Sequence, residues 1–202
     1  ILNSIWLPMQ AGYQIALRRA PDVAEACEWA WGADPTAQGE TTLRPLRDIQ
    51  AAVGAAEWRK KGVEIPALGE PPHNRIFPWY GVFSPVRGEY LELLQAMKLP
   101  EGARTAFDIG TGTGVIAALL ARRGLQVVAT DNSPQALGCA QANLTQLGVT
   151  ERVTLQQANL FPQGQADLVV CNPPWLPAKA SSPIEMAIYD ENSAMLKGFL
   201  NG

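Results

Sequence analysis

The sequence predicts an α/β fold in which helices cover both faces of a parallel β-sheet. From Ser84 onward, short apolar runs alternate four times with stretches whose apolar residues have helical spacing. Parallel strands need a crossover connection, usually a helix, and such sheets are covered on both faces. Before this region the apolar residues have helical spacing with few β-branched side chains, which predicts a small, mainly helical N-terminal region.

The N-terminal region contains two predicted helices, at residues 21–31 and 46–61, joined by a turn-like stretch. A segment rich in proline and glycine follows, from Gly62 to Gly81. It predicts little regular structure apart from a short extended pairing near its end. We therefore expect two domains, a helical region at residues 1–75 and a sheet domain at residues 76–202.

The sheet domain is predicted to open with a helix that Ser84 caps, that Pro85 starts and that ends near Met97. The next two helices are predicted to end at Gly124 and Gly148. The chain has no initial Met and stops within a predicted helix, so we expect it to be a fragment. The other predicted elements are strands at 105–109, 126–130, 153–157 and 166–171 and helices at 115–123 and 134–147.

Composition and charge exclude several classes of protein. There are 16 Lys and Arg against 19 Asp and Glu, a net charge of −3 that gives no strong attraction to nucleic acid. Cys27, Cys139 and Cys171 have no paired spacing, which argues against a disulfide framework or a metal site and fits a reducing cytoplasm. No apolar run approaches the roughly 20 residues that cross a bilayer, so no membrane association is predicted.

A glycine turn lies where the first strand of the sheet becomes a helix, in the sequence Asp-Ile-Gly-Thr-Gly-Thr-Gly from Asp108 to Gly114. Gly110 and Gly112 allow the backbone to turn tightly against a ligand. Enzymes that bind NAD use G-x-G-x-x-G around pyrophosphate, but here the third glycine comes one residue earlier and Asp108 would repel a phosphate. Asp131 ends the next strand, where a carboxylate can accept both ribose hydroxyls of an adenosine ligand. This pattern favours S-adenosylmethionine over NAD; the alternative is a turn without a ligand, with Asp131 capping a loop.

The fourth strand runs into Asn172-Pro173-Pro174-Trp175. Two prolines restrict the backbone and hold the Asn172 amide and the Pro173 carbonyl at the ligand-binding edge of the sheet. Together these two oxygens can accept hydrogen bonds from an NH2 group and direct its lone pair at an incoming methyl group. Trp175 can stack on a flat substrate or lie beside a sulfonium. The motif predicts methyl transfer to a planar amide or amine by alignment in a preorganised site; the alternative is a strand-ending turn with Trp175 in the core.

The glycine turn, Asp131 and the Asn-Pro-Pro-Trp motif resemble class I methyltransferases of the amino-methylating branch. That branch includes the HemK-like release-factor glutamine methyltransferases and the methyltransferases of RNA and DNA nucleobase amines. The resemblance covers the chain from about Gly81 to its end. It implies a Rossmann-like class I methyltransferase fold that is C-terminally incomplete, because the family's sheet continues after the fourth strand. It also implies S-adenosylmethionine as cofactor, S-adenosylhomocysteine as product, and a protein or nucleic-acid acceptor, with protein glutamine favoured.

The same resemblance implies roles for individual residues. The acceptor nitrogen would be held by Asn172 and Pro173, with Trp175 completing the catalytic set. Asn159 stands where the family usually has Asp, and Trp175 where Tyr or Phe is commoner. Ser84, with Arg87 as a weaker candidate, would contact the cofactor carboxylate, although Ser84 also suits a plain helix cap. The implied cofactor-binding residues are Ser84, Asp108, Gly110, Thr111, Gly112, Asp131, Asn132, Asn159 and Leu160.

Three interpretations of the tryptophans and basic residues before residue 62 remain open. They could recognise the substrate, as helical domains do in release-factor methyltransferases, or contact RNA through interleaved basic and aromatic side chains. They could also form a small core with a solvated charged face, which the equal number of acids favours. For the whole chain, the competing functions are an NAD-type oxidoreductase and a non-catalytic scaffold that keeps only cofactor binding or the fold.

Overall fold

The computed structural model describes residues 5–85, 88–179, 185 and 188–202. The chain forms two compact units, Ile1–Lys61 and Gly62–Gly202. Residues 62–75, which the sequence analysis assigned to the first domain, therefore lie in the second unit. The reason is that Val63 and Ile65 are buried in the same core as the parallel sheet.

The first unit contains a three-stranded antiparallel sheet and two helices. The two helices lie within the ranges predicted for them, 21–31 and 46–61, whereas the sheet was not predicted. Two of the strands contain a proline, Pro8 or Pro45. Proline within an apolar run argues against a strand, so these strands could not be recognised from the sequence pattern. The core joins Met9 and Ile15 of the sheet to Cys27 and Ile49 of the helices. The elements are β1 (Trp6–Gln10), β2 (Gln14–Ile15), α1 (Ala24–Trp31), β3 (Thr41–Pro45) and α2 (Leu46–Lys61), with strand order β2-β1-β3.

The second unit opens with a short antiparallel pair, β4 (Val63–Glu64) and β5 (Arg75–Ile76). The next helix, α3 (Glu89–Ala96), begins four residues later than predicted and has Gly88 as its N-cap. The prediction that Ser84 caps this helix is therefore wrong. Glycine is unfavourable inside a helix, and the acidic side chains of the first turn favour a start at Glu89.

The parallel sheet forms with nearly the predicted bounds. Its strand order is β8-β7-β6-β9. Strands β7 and β8 follow β6 on one side, and β9 then pairs with β6 on its other side, so the order of the strands reverses between β6 and β9. In open α/β sheets, ligands bind at the carboxyl ends of the strands beside such a reversal. The elements are β6 (Thr105–Ile109), α4 (Val115–Arg122), β7 (Gln126–Asp131), α5 (Pro134–Gln146), β8 (Val153–Gln157) and β9 (Leu168–Cys171). The predicted α/β class is confirmed.

The two faces of this sheet differ in their cover. Ala106, Val127 and Ala129 project into a core that they share with α3, α4 and α5. The alternate side chains lie on the other face, where Val169 is 39% exposed. Exposure on that face is uneven, because Phe107 and Ile109 are buried there. The last helix, α6 (Ala194–Asn201), packs against the loop that follows β8, where Phe199 stacks on Phe161 with ring centroids 5.8 Å apart.

Within the described part of the chain, none of the helices combines the length and the apolarity that a bilayer-spanning segment needs.

Candidate cofactor and acceptor site

The predicted site residues come together at the carboxyl edge of the parallel sheet. Ile109 pairs with Thr130 of β7 and with Cys171 of β9, so the strand ends lie side by side. The glycine turn, Asp131 and Asn172 therefore emerge from adjacent strands at one edge. The segment around Asn159 joins them from β8, because Ala158 N donates to Asp131 O at 3.1 Å.

Both backbone conformation and packing favour glycine at positions of the turn. Gly110, Gly112 and Gly114 have φ angles of 73°, 54° and 79°, a left-handed region that other residues rarely adopt. A Cβ on Gly110 would lie 2.6 Å from Met195 Cε, and one on Gly114 would lie 3.1 Å from Ala140 Cβ. Beside Gly112, Val82 is the only neighbour that the described residues provide within 4 Å of an added Cβ, at 3.9 Å. The backbone at Gly112 is therefore the most open to a ligand.

Asp108 is fully buried beneath this turn. Its Oδ2 accepts hydrogen bonds from Thr111 Oγ1 at 2.6 Å and from Ala117 N at 3.0 Å. Burial raises the pKa of Asp108 to about 7, and the negative charge of Asp131 adds to this, while the two hydrogen bonds oppose it. Oδ1 is buried without a hydrogen-bond partner in the described structure. An orphaned carboxylate oxygen at this place fits the cationic amine at the methionine end of S-adenosylmethionine.

Asp131 holds the glycine turn and the next loop through its two oxygens. Oδ2 accepts from Gly112 N and Oδ1 from Ser133 N, each at 3.0 Å. Each oxygen of a carboxylate can accept more than one hydrogen bond, so both retain capacity for a hydroxyl. The side chain is only partly buried, and the arrangement suits the adjacent hydroxyls of a ribose. Asn132 follows it at the surface.

The Asn159–Leu160 turn combines exposure with an unusual backbone. The side chain of Asn159 is exposed, and Leu160 has a φ of 73°. Leu160 O accepts a hydrogen bond from Thr130 Oγ1 at 2.6 Å. Thr130 is not recognisable from the sequence, because a threonine near the end of a strand is ordinary and gives no local signal.

The candidate acceptor loop, residues 172–175, presents its aromatic residue to the surface. Asn172 is exposed, and Trp175 is 65% exposed. The alternative that Trp175 fills the core is therefore wrong. Leu176 is tied to the segment before α6, because its carbonyl accepts from Asp190 N at 2.8 Å. Burial, followed by the charge of Asp108, raises the pKa of Cys171 to about 12, so its thiol is protonated at neutral pH.

The segment before α3 lies against the glycine turn. Asn143 of α5 accepts from Phe77 N at 2.8 Å and donates to Thr113 O at 3.0 Å, so it joins the two segments. This buried asparagine was missed, since nothing in its local sequence distinguishes it from a surface residue. Ser84 Oγ is buried without a hydrogen-bond partner among the described residues, which leaves it available to a ligand. Arg87 lies outside the described residues.

Comparison with protein families decides between the competing functions. Residues 76–198 match the model of the family described as methyltransferase small domain. The chain belongs to this methyltransferase family. The match confirms the resemblance to class I methyltransferases, together with the predicted enzyme class and S-adenosylmethionine as cofactor. It also removes the NAD oxidoreductase hypothesis.

Curated relatives of this methyltransferase domain act on different targets by name. The ribosomal protein uL3 glutamine methyltransferase of Bordetella pertussis is 35% identical over 51% of this chain and 36% of its own length. The release factor glutamine methyltransferase of Cereibacter sphaeroides is 37% identical over 50% of this chain and 38% of its own. The ribosomal protein L11 methyltransferase of Pelotomaculum thermopropionicum is 44% identical over 41% and 27%. The match thus spans well under half of each relative.

Among solved structures, the catalytic domain of human METTL16 in complex with a MAT2A 3′UTR hairpin is 16% identical. The likeness covers 91% of this chain and 72% of that one, with a TM-score of 0.48.

The second unit also contains two small cavities. Cavities of about 210 and about 240 Å³ lie beside Pro66 and Gly88 and at the amino ends of β6 and β7. The residues that the structure describes contain no cluster of His, Cys, Asp and Glu suited to a metal ion. In the first unit, Arg59 lies 4.5 Å from the ring centre of Trp29, and Arg44 lies 5.1 Å from that of Trp31. Some of the basic and aromatic residues of that unit are thus paired with each other.

Proposed function

We propose that the protein transfers the methyl group of S-adenosylmethionine to the amide nitrogen of a protein glutamine. The observation that carries this proposal is the pairing of Ile109 with Cys171 on neighbouring strands. Because of this register, Gly110 and Asn172 each follow directly after one member of the same residue pair, Ile109 and Cys171. A cofactor on the turn and an amide held by Asn172 would meet without a large movement of either strand.

Four segments of the chain would hold the cofactor. Asp108 Oδ1 and the backbone at Gly112 suit its methionine end, and Ser84 Oγ, which has no hydrogen-bond partner among the described residues, would donate to the carboxylate. Asp131 suits the ribose, and the Asn159–Leu160 turn suits the adenine. When bound, the cofactor supplies an electrophilic methyl group on a sulfonium. The enzyme gains rate from alignment and from excluding water around the reacting atoms.

Asn172 Oδ1 and the Pro173 carbonyl would accept the two hydrogens of the amide NH2. These hydrogen bonds draw electron density toward nitrogen and orient its lone pair at the methyl group. The proton leaves the nitrogen after methyl transfer and passes to solvent beside the exposed Asn172, so no strong base is required, and two groups of the site do not suit that task. The Cys171 thiol is protonated at neutral pH, and Asp108 is enclosed beneath the glycine turn.

A protein acceptor is favoured by two observations. Two curated relatives are named as glutamine methyltransferases, of uL3 and of a release factor. The net charge of −3 gives little general attraction to phosphates.

We place the reaction in the cytoplasm, since no disulfide joins the three cysteines, all of which the structure describes.

A nucleobase amine is the second candidate, and the exposure of Trp175 supports it. An indole that is 65% exposed beside the acceptor loop offers a stacking surface for a flat base. The donor geometry of an exocyclic amine matches that of an amide, so Asn172 and Pro173 would hold either one. The two candidates differ in what the remaining surface must recognise.

The experiment offers labelled S-adenosylmethionine to the purified protein with release factors, ribosomal proteins, transfer RNA and ribosomal RNA in parallel. Mass spectrometry then locates the methyl group. Label on a glutamine supports the proposal, label on a base amine supports the alternative, and label on neither contradicts both. Asn172→Ala should lower kcat about 100-fold without changing the Kd of S-adenosylhomocysteine. Gln165→Ala, an exposed change before the amino end of β9, is the control and should retain activity.

A further inference from the structure

Thr130, the penultimate residue of β7, contacts two of the four segments proposed to bind the cofactor and directly precedes another. It is fully buried. Its carbonyl accepts from Gly110 N at 2.9 Å and from Thr111 N at 2.8 Å. Its hydroxyl donates to Leu160 O at 2.6 Å. The next residue, Asp131, is the proposed ribose ligand.

The two kinds of contact depend differently on the side chain. The carbonyl contacts to the glycine turn need only the backbone of β7, so any residue with a strand conformation can provide them. The contact to Leu160 O needs a hydroxyl at this position. Valine has nearly the same shape as threonine but no donor, and it would leave the partly buried Leu160 carbonyl without this partner.

The turn that receives this hydrogen bond needs support. A leucine with a φ of 73° lies in a region that residues with side chains rarely adopt, and such a conformation persists only when its surroundings hold it. Consecutive residues of β7 provide that support, since Thr130 holds Leu160 O and Asp131 O accepts from Ala158 N. On the other side, Leu160 packs against Gly198 of α6, where a Cβ would come within 2.5 Å of Leu160 Cδ1.

We propose that Thr130 is a positioning residue that fixes the adenine-binding turn at Asn159–Leu160 relative to the glycine turn. Through one side chain and one carbonyl it sets the separation between the two ends of the cofactor site. This inference rests on the proposed function, which places adenine beside Asn159. It assigns no direct contact between Thr130 and the cofactor.

The test compares three variants of the intact protein. Thr130→Val removes the hydroxyl and keeps the shape, while Thr130→Ser keeps a hydroxyl. The matched control is Thr105→Val at the amino end of β6, where Thr105 Oγ1 bonds Asp167 Oδ2 at 2.8 Å. That change removes a side-chain hydrogen bond from the same sheet, at the end away from the site.

Two measurements are made on each variant. Calorimetry gives the Kd of S-adenosylhomocysteine, and amide hydrogen exchange without ligand gives the protection of Ala158, Gly110 and Thr111. In Thr130→Val we expect the Kd to rise about tenfold and Ala158 to exchange faster, with Gly110 and Thr111 unchanged. Thr130→Ser should restore most of both properties. Thr105→Val should leave the Kd and the Ala158 exchange at their wild-type values.

Wild-type affinity in Thr130→Val, or an equal loss of affinity in Thr105→Val, would overturn the positioning role. Unchanged exchange at Ala158 in Thr130→Val would overturn it as well. If the wild-type protein fails to bind S-adenosylhomocysteine, the proposed function fails. The exchange comparison then still decides whether the hydroxyl of Thr130 holds the turn.

Discussion

Replacing Asp108 with asparagine should stabilise the protein at alkaline pH and remove most of its pH dependence between pH 5 and 8. In the folded protein, burial raises the pKa of this carboxyl from its ordinary value of 3.8 to about 7. The folded state thus keeps a proton that the unfolded chain loses near pH 4. The stability linked to this proton is fully present below pH 4 and is lost as the pH rises through 7.

The size of the effect follows from the two pKa values. Each pH unit between them is equivalent to about 1.4 kcal/mol, so a difference of about three units corresponds to about 4 kcal/mol at pH 8. Asparagine has the same shape as aspartate and no charge. Its amide oxygen can replace Oδ2 as acceptor for Thr111 Oγ1 and Ala117 N, so the local hydrogen bonds survive.

The assay is urea denaturation without cofactor at pH 5, 6, 7 and 8. We expect the wild-type free energy of unfolding to fall by about 3 kcal/mol over this range, since only the two pH units between pH 5 and the folded pKa of about 7 contribute, and that of Asp108→Asn to change little. Asp167→Asn is the control, since hydrogen bonds from Arg104 N and Thr105 lower the pKa of that carboxyl and place its titration below this range. An Asp108→Asn profile that still falls as steeply as the wild type would refute the reasoning.

Four further outcomes follow from the site. Asp131→Ala should raise the Kd of S-adenosylhomocysteine at least about 100-fold in calorimetry, because it removes the proposed ribose acceptor and the bond to Gly112 N, whereas Asp22→Ala should bind normally. Because a cation beside Asp108 favours its carboxylate, S-adenosylmethionine binding below pH 7 should release a proton, seen as an enthalpy that depends on the buffer; an enthalpy independent of buffer would contradict this. Gly110→Ala should lower the free energy of unfolding by about 1–3 kcal/mol, since it strains φ and strikes Met195 Cε, and Met195→Ala should relieve part of the loss. If the first unit binds the acceptor, replacing Trp6, which is 54% exposed, with alanine should raise KM for the acceptor without changing cofactor affinity.

The parallel sheet and its motifs could be predicted because their signals are local. The strands at 105–109 and 153–157 have the predicted bounds, since a short strand bounded by turn residues is a pattern within one segment. The glycine turn and Asn172 were found for the same reason. Their backbones need residues with special dihedral preferences, and those residues are visible in the sequence.

Features that depend on pairing between distant segments could not be predicted. The first sheet joins residues 6–10 to residues 41–45, and its prolines argue locally against strands. Helix α3 starts at Glu89 rather than near Ser84. Both Ser84 and Gly88 can cap a helix, and the local capping pattern does not decide between them.

The sequence by itself determined the fold class and the cofactor class, because strand alternation and glycine spacing act over a few residues. The candidate site residues were proposed from the same kind of local pattern. Only the tertiary structure decided how those residues are tuned. Packing buries Asp108 and leaves one of its oxygens without a partner. It also brings the hydroxyl of Thr130 to the carbonyl of Leu160, thirty residues away. Burial and long-range hydrogen bonds depend on the positions of all neighbouring segments, which no local pattern specifies.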